Sequence, residues 1–329
     1  MNLASYTKTD YKIAQTDVMV TIESGTPIIR TGNHFHKYYT TKVVQIPQGT
    51  EFSIYNATRS EVVVDVPDFD ALPLAAVEFS NKQYIGTGKI RSGEKRLKVF
   101  EKFYEYYTSL DYEVFTTDSD HEVFNRSVFR NVCAAVFPQE VMILLDGDAF
   151  YTKQQLDNAV EQAKVQDKII RPTKFFAFVD VEGDFDPCHL LDHLNKKSLE
   201  IPEEMLGERL VEDRYHYYMG RHLCSGGWVL RPHHWVGMDE RIDGWGGEDM
   251  TFDRSISALN LSVEIHDGCM ASVDHDGRDT VNGTKNITMF ELDYKKPHDV
   301  VSTRRAALIE DLLIMHAGYK TYGRFAKWE

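Results

Sequence analysis

The sequence has no run approaching the roughly 18 to 20 consecutive apolar residues that a membrane-spanning helix needs. Its first residues, MNLASYTKTDYK, lack the apolar core of a signal peptide, which predicts a cytoplasmic protein. Cysteine is scarce: Cys133, Cys188, Cys224 and Cys269 form no CxxC pair and no zinc-finger spacing, so they read as reduced and structural. Positive charge is also short. With 37 Lys and Arg against 51 Asp and Glu, the net charge of −14 disfavours a broad duplex-DNA surface, which requires clustered cations. There is no internal repeat and no low-complexity tract. What remains is ordinary globular composition, 42% hydrophobic and 12% aromatic, in 329 residues, enough for one large domain or a domain with an appendage.

Two grammars follow one another along the chain. Residues 12 to 67 read as short β segments (DVMVTIE, TPIIRT, TKVVQIP, EFSIYN, EVVVDV) punctuated by glycine and proline, which predicts a small β module over residues 1–72. From about residue 84, strands alternate with longer helical periods, so residues 73–329 read as an α/β domain. Leu97, Phe100, Phe103, Tyr104 and Tyr107 keep a spacing of three and four, predicting a helix over 93–110 with one apolar face. A strand in DYEVFTT and a helix over about 124–137 follow. VMILL is short and wholly apolar, as in a strand buried on both faces. Thr152-x-x-Gln155 is a capping box that opens another helix, and KIIRP is the next strand. Residues 303–317 read as an amphipathic C-terminal helix.

The buried VMILL strand ends in Asp146-Gly147-Asp148. In open α/β sheets ligands bind beyond the carboxyl ends of strands, and two carboxylates spaced by two can reach one cation. Such hard oxygen ligands suit Mn²⁺ or Mg²⁺ on a phosphate-bearing substrate. The plain alternative is a solvated turn after a strand. A second segment shifts the balance: Gly226-Gly227-Trp228-Val229-Leu230 is followed by Gly244-Trp245-Gly246-Gly247-Glu248-Asp249. Glycines around an indole make a tight turn, and Glu248 and Asp249 enter the first turn of a helix carrying Phe252, Ile256 and Leu259. Helix N-terminal acids are the alternative here, but Trp245 beside paired carboxylates is more simply a sugar site, the ring stacking on the pyranose and the acids taking hydroxyl protons.

Strand, DxD, GGW and GWGGED, in this order over about residues 84–276, resemble the metal-dependent GT-A glycosyltransferases of the β-1,4-galactosyltransferase and polypeptide N-acetylgalactosaminyltransferase type, together with related bacterial and phage enzymes. The resemblance implies a Rossmann-like nucleotide-sugar domain, and a host-cytoplasm location if the source is viral. Asp146 and Asp148 would hold Mn²⁺ or Mg²⁺ on a nucleotide-diphosphate donor, UDP being the commonest carrier. Arg91, Asp118, Arg126, Arg130, Asn131, Asp146, Gly227 and Trp245 would line the donor. Arg126 and Arg130, at i and i+4, serve an ion-pair role equally well. Glu248 and Asp249 would bind the acceptor hydroxyl, with Asp249 as general base. His275, 26 residues beyond Asp249, would complete the metal shell, His266 being the alternative. The acceptor, whether glycan, protein or modified nucleobase, is not indicated, and relatives include both inverting and retaining enzymes.

Two histidine pairs stand apart. His34 and His36 share a strand face and His189 and His193 a helix face, but neither has a matching third or fourth ligand nearby in sequence. A sugar-nucleotide nucleotidyltransferase is a rival reading, though the Gly-rich, Lys/Arg-bearing triphosphate loop it would need is not evident. A carbohydrate-binding or virion-type interaction protein is a further alternative. The β module is expected to serve acceptor recognition or assembly.

Overall fold

A computed structural model describes residues 1–3, 7–9, 12–56, 61–66, 71–73, 83–90, 93–121, 125–136, 140–166, 168–181, 184–200, 209–212, 215–219, 226–231, 234–235, 237–238, 240, 248–249, 252, 256 and 261–273. Within these the protein has the α/β class expected. Tyr84–Gly88 is buried along its length between Glu113–Ser119 and Met142–Leu145, parallel to both. Its sequence, YIGTG, is a weak strand signal by composition, because neighbours on both edges rather than bulky side chains hold it in place. First, second and third in chain order, the three strands lie second, first, third in space. The winding therefore reverses between Tyr84–Gly88 and Met142–Leu145, and the crevice opens beyond their carboxyl ends.

Helices cover both faces. Helix α1, Glu94–Ser109, contributes Val99, Phe103 and Tyr107 to one hydrophobic cluster, while α2, Arg126–Val136, contributes Val128, Phe129 and Val132 to the other. The buried stripe of α1 is rotated from the one expected. Leu97 and Tyr104 are exposed, whereas Val99 and Tyr106 are buried. Two phenols account for the turn: Tyr106 donates to the Tyr151 carbonyl at 2.8 Å and Tyr107 to that of Ala149 at 3.0 Å. Helix α3, Lys153–Gln166, starts in the expected box, with Gln155 N–H donating to Thr152 Oγ1 and Thr152 N–H to Gln155 Oε1.

Beyond Met142–Leu145 the sheet continues antiparallel through Gly227–Leu230 to Ile169–Arg171, then parallel to Val263–Ile265. A second sheet runs in the order Ala149–Phe150, Cys269–Val273, Phe175–Val179, Tyr215–Met219, Arg209–Glu212. Helix α4, Pro187–Ser198, supplies Leu190, Leu191 and Leu194 to the α1 cluster. Among the described residues no helix is long and apolar enough to cross a membrane. The C-terminal helix expected at 303–317 lies outside the described residues.

The N-terminal segments are β, and part of them extends the central sheet. Ile28–Thr31 pairs with Glu51–Asn56 and with His34–Lys37, and His34–Lys37 pairs in parallel with Glu113–Ser119. A separate four-stranded sheet (Asn2–Leu3, Val62–Asp65, Val18–Ser24, Val43–Ile46) shares a cluster that includes Val20, Ile22, Ile29, Ile46, Phe52 and Ile54. Polar contacts cross the same junction. Backbone N–H groups of Tyr39, Thr40 and Thr41 donate to the Asp120 carboxylate at 2.7–2.8 Å. Burial acts to raise that carboxyl, but these donors together outweigh it and hold Asp120 well below the usual carboxylate range. Lys37 Nζ lies 3.1 Å from Glu240.

Removing residues 1–72 would therefore strip one edge of Glu113–Ser119 and leave a row of unpaired backbone groups there. The truncated chain is expected to self-associate and to lose a single cooperative unfolding transition, as read by size-exclusion chromatography and thermal denaturation. A monomeric product with a sharp transition would show that the N-terminal strands are dispensable to the sheet.

Candidate active site

The site is built where Met142–Leu145 ends. Asp146 follows at the mouth of the crevice, and Asp148 sits two residues on, at the start of the second sheet. A side chain at Gly147 would place its Cβ 2.9 Å from the Phe100 ring, so any larger residue there would require that ring to shift. The strand Cys269–Val273 comes back alongside: Val273 N–H donates to the Asp148 carbonyl at 3.0 Å, and Ser272 Oγ donates to Asp148 Oδ2 at 3.0 Å.

Glu248 and Asp249 reach this mouth because the segment behind them is anchored. Phe252 and Ile256, four apart and both buried, belong to the α2 cluster, and Phe252 packs 4.7 Å from the Trp235 ring and 5.2 Å from the Trp228 ring. Burial of each such side chain contributes about 1.5–3 kcal/mol. Glu248 lies four residues before Phe252, on the same helix face, so it is carried inward and is only 3% exposed.

Two arginines of α2 join the acids. Arg130, fully buried, donates through Nη2 to Asp146 Oδ1 at 2.9 Å and through Nη1 to Asp249 Oδ1 at 2.8 Å. Arg126 donates through Nη1 to Glu248 Oε1 at 2.7 Å and to Asp249 Oδ2 at 3.1 Å. Its Nε lies 3.6 Å from Asp146 Oδ1. The remaining oxygen of Asp146 accepts from Gly226 N–H at 3.3 Å. Burial would raise the Asp249 carboxyl, but Arg130 and Arg126 outweigh it and hold that group below the ordinary carboxylate range. At Glu248 the balance reverses: burial pushes the carboxyl up, and the neighbouring Asp249 adds to it against the pull of Arg126.

The geometry sorts the residues singled out in the sequence. Asp146, Asp148, Arg126, Arg130, Glu248 and Asp249 are brought together. Arg130 engages two carboxylates, and the pairing lies in the interior and not on the surface. Asn131, expected at the donor, has its amide committed elsewhere: Nδ2 donates to the Met238 carbonyl at 2.9 Å and to Glu240 Oε1 at 3.1 Å, while Oδ1 accepts from Trp235 Nε1 and Met238 N–H. It fastens α2 to the segment that follows the GGW strand. Gly227, also expected at the donor, is buried where a Cβ would lie 2.4 Å from Leu145 Cδ2, so its smallness serves close strand packing. Asp118 ends the Glu113–Ser119 strand beside His34 and His36, a third ligand type that their sequence neighbourhood lacks. Burial, with Lys89 and His36 adding to it, pushes His34 down to about 4. His266 lies 3.6 Å from Glu264 at the end of Val263–Ile265. Arg91, Trp245 and His275 lie outside the described residues.

Two acids went unnoticed in the sequence. Glu240 accepts from Lys37, Tyr39 and Asn131 together, and Asp120 accepts from the 39–41 backbone. Neither stands in a motif. Asp120, in the run TDSD just past a strand end, had a local signal of strand-end acids; Glu240 had none.

No family model and no curated protein matches the chain. Among solved structures it is similar to S. aureus TarS 1–349 in complex with UDP-GlcNAc, at 14% identity over 77% of this chain and 69% of that one, with a TM-score of 0.37. The same protein in complex with UDP gives 11% identity over 74% of each chain and a TM-score of 0.34.

Gly227→Ala separates packing from ligand binding. Overpacking at this position is expected to cost about 1–3 kcal/mol in urea unfolding. Unchanged stability together with weakened nucleotide affinity would return Gly227 to the donor.

Proposed function

We propose that this chain is a glycosyltransferase that moves a sugar from a nucleotide-diphosphate donor, UDP-linked in the first instance, to an acceptor hydroxyl. One observation carries this reading: two α2 arginines bind Asp146, Glu248 and Asp249 into one charged site at the switch point of the sheet, beside Asp148. The resemblance of the DxD, GGW and GWGGED segments to GT-A enzymes agrees with that arrangement and supplies the reaction class.

On this reading the donor diphosphate would lie at Asp148. Both oxygens of Asp146 already accept hydrogen bonds, from Arg130 and from Gly226 N–H, which makes Asp146 a positioning acid. A carboxylate oxygen of Asp148, with phosphate oxygens and water, suits Mn²⁺ or Mg²⁺, which commonly takes one or two protein carboxylates. A bound cation would stabilise the leaving diphosphate as a Lewis acid. Arg126, partly exposed where Arg130 is buried, is the guanidinium available to an incoming diphosphate.

In transfer, the acceptor oxygen bonds to the anomeric carbon as the carbon–diphosphate bond breaks, and the acceptor proton passes to a carboxylate. Asp249, the expected base, has each oxygen paired with an arginine and a lowered affinity for protons. Glu248, with its raised affinity, is the better acceptor, and Asp249 positions it through Arg126.

Incubation with a panel of nucleotide sugars and Mn²⁺ tests the activity, since only a transferase releases nucleoside diphosphate. Asp148→Asn is expected to abolish Mn²⁺-dependent UDP binding in calorimetry with the fold intact, and His275→Ala to weaken it. Binding unchanged in Asp148→Asn would refute the metal assignment.

The pH dependence separates the two acids. A base works only when deprotonated, so activity falls as pH falls through its folded-state pKa. For Glu248 that acidic limb lies above the usual glutamate value of about 4.3, and for Asp249 below the usual aspartate value of about 3.9. Glu248→Gln is expected to remove the limb and lower kcat at least about a hundredfold. A limb that survives in Glu248→Gln and vanishes in Asp249→Asn would exchange the roles.

A further inference from the structure

His34 and His36 alternate with Phe35 on one strand, so both imidazoles project from the same face of the sheet. The parallel partner strand sets Thr116 opposite His34 and Asp118 opposite His36, bringing the Asp118 carboxylate to that face. One ligand atom from each of His34, His36 and Asp118 lies within 4.8 Å of the other two, and all three side chains are half-buried. His34 Nδ1 contacts Thr116 Oγ1 at 2.8 Å. An outer contact of this kind fixes the tautomer and ring orientation of a ligating imidazole and leaves Nε2 to the metal.

We infer that His34, His36 and Asp118 form a transition-metal site, with zinc the best-suited ion, that clamps the N-terminal strand His34–Lys37 to the Glu113–Ser119 strand of the α/β sheet. Two imidazoles and one carboxylate match the ligand set of three-ligand zinc centres, in which water fills the fourth position. The set is too nitrogen-rich for Mg²⁺ or Ca²⁺, which prefer oxygen. It is distinct from the proposed cation position at Asp148, which follows a different strand, Met142–Leu145, and shares none of these three ligands. The nearby Lys89 is the opposing charge and limits affinity. The inference stands apart from the transferase reading except at one point: a carboxylate coordinating zinc is withdrawn from nucleoside recognition, so Asp118 belongs to the clamp.

The test uses the full chain stripped with EDTA, dialysed against Zn²⁺ and then against buffer, with bound metal measured by elemental analysis. Wild type is expected to retain one zinc and to melt at a higher temperature than the stripped protein, since a ligand selective for the folded state stabilises it. His36→Gln and Asp118→Asn should each weaken zinc binding at least about tenfold, the lower end of what even outer-shell losses cause. Each should melt with or without zinc as stripped wild type does, which shows that the fold survives. Asp148→Asn should keep the zinc. Should either ligand variant fail to fold, the other gives the same reading. The proposal is overturned if wild type retains no zinc, if both ligand variants retain it, or if it is lost from Asp148→Asn instead.

Discussion

The buried guanidinium of Arg130 is the contact on which the site depends. A cation in the interior is tolerated only when its charge and its hydrogen-bond donors are matched there, because desolvation alone costs several kcal/mol. Arg130 is matched by two carboxylates from distant parts of the chain, Asp146 at the end of a central strand and Asp249 on the segment anchored by Phe252. Each acid needs the arginine as much as the arginine needs the acids. The contact therefore sets the distance between the strand end, where a phosphate-bearing ligand would lie, and the acids that would receive a proton. Arg126 adds a second, more accessible link on the next turn of α2.

This arrangement makes α2 a structural spine as well as a cover for the sheet. On its inner side Val128, Phe129 and Val132 pack against the strands, and along one edge Arg126 and Arg130 gather the acids. Along another, Asn131 ties down the segment carrying Trp235, Met238 and Glu240. Glu240 then reaches Lys37 and Tyr39, so the same helix connects the charged site with the N-terminal strands.

Much of this was legible in the sequence where physics acts locally. The helix over 93–110, the capping box of α3, the buried MILL strand and the acids at its end all follow from short-range spacing. The partnerships were not legible, because they join residues far apart. Arg126 and Arg130 sharing a helix face was readable, but the identity of their partners requires the fold. Asn131 resembles a donor ligand in a motif, yet its amide is consumed by backbone and indole groups more than 100 positions away. The rotated face of α1 has a similar cause: periodicity counted apolar residues, while burial was decided by which phenols found a carbonyl. His34 and His36 gained a third neighbour only through parallel pairing with a strand that is remote in sequence.

That parallel pairing also has a consequence for how the chain comes into being. His34 and its partner Thr116 are 82 residues apart, so the N-terminal strands leave the ribosome well before the strand that completes their sheet. At ordinary synthesis rates the delay is roughly 4 to 16 s, many orders of magnitude longer than a hairpin takes to form. During that interval His34–Lys37 is the open edge of a nascent sheet, able to pair with a neighbouring chain on the same polysome. Contacts of such high sequence separation also slow folding itself. The lysine and the two histidines on this short strand make a poor template for apolar self-pairing, and so protect the growing chain until its own partner arrives.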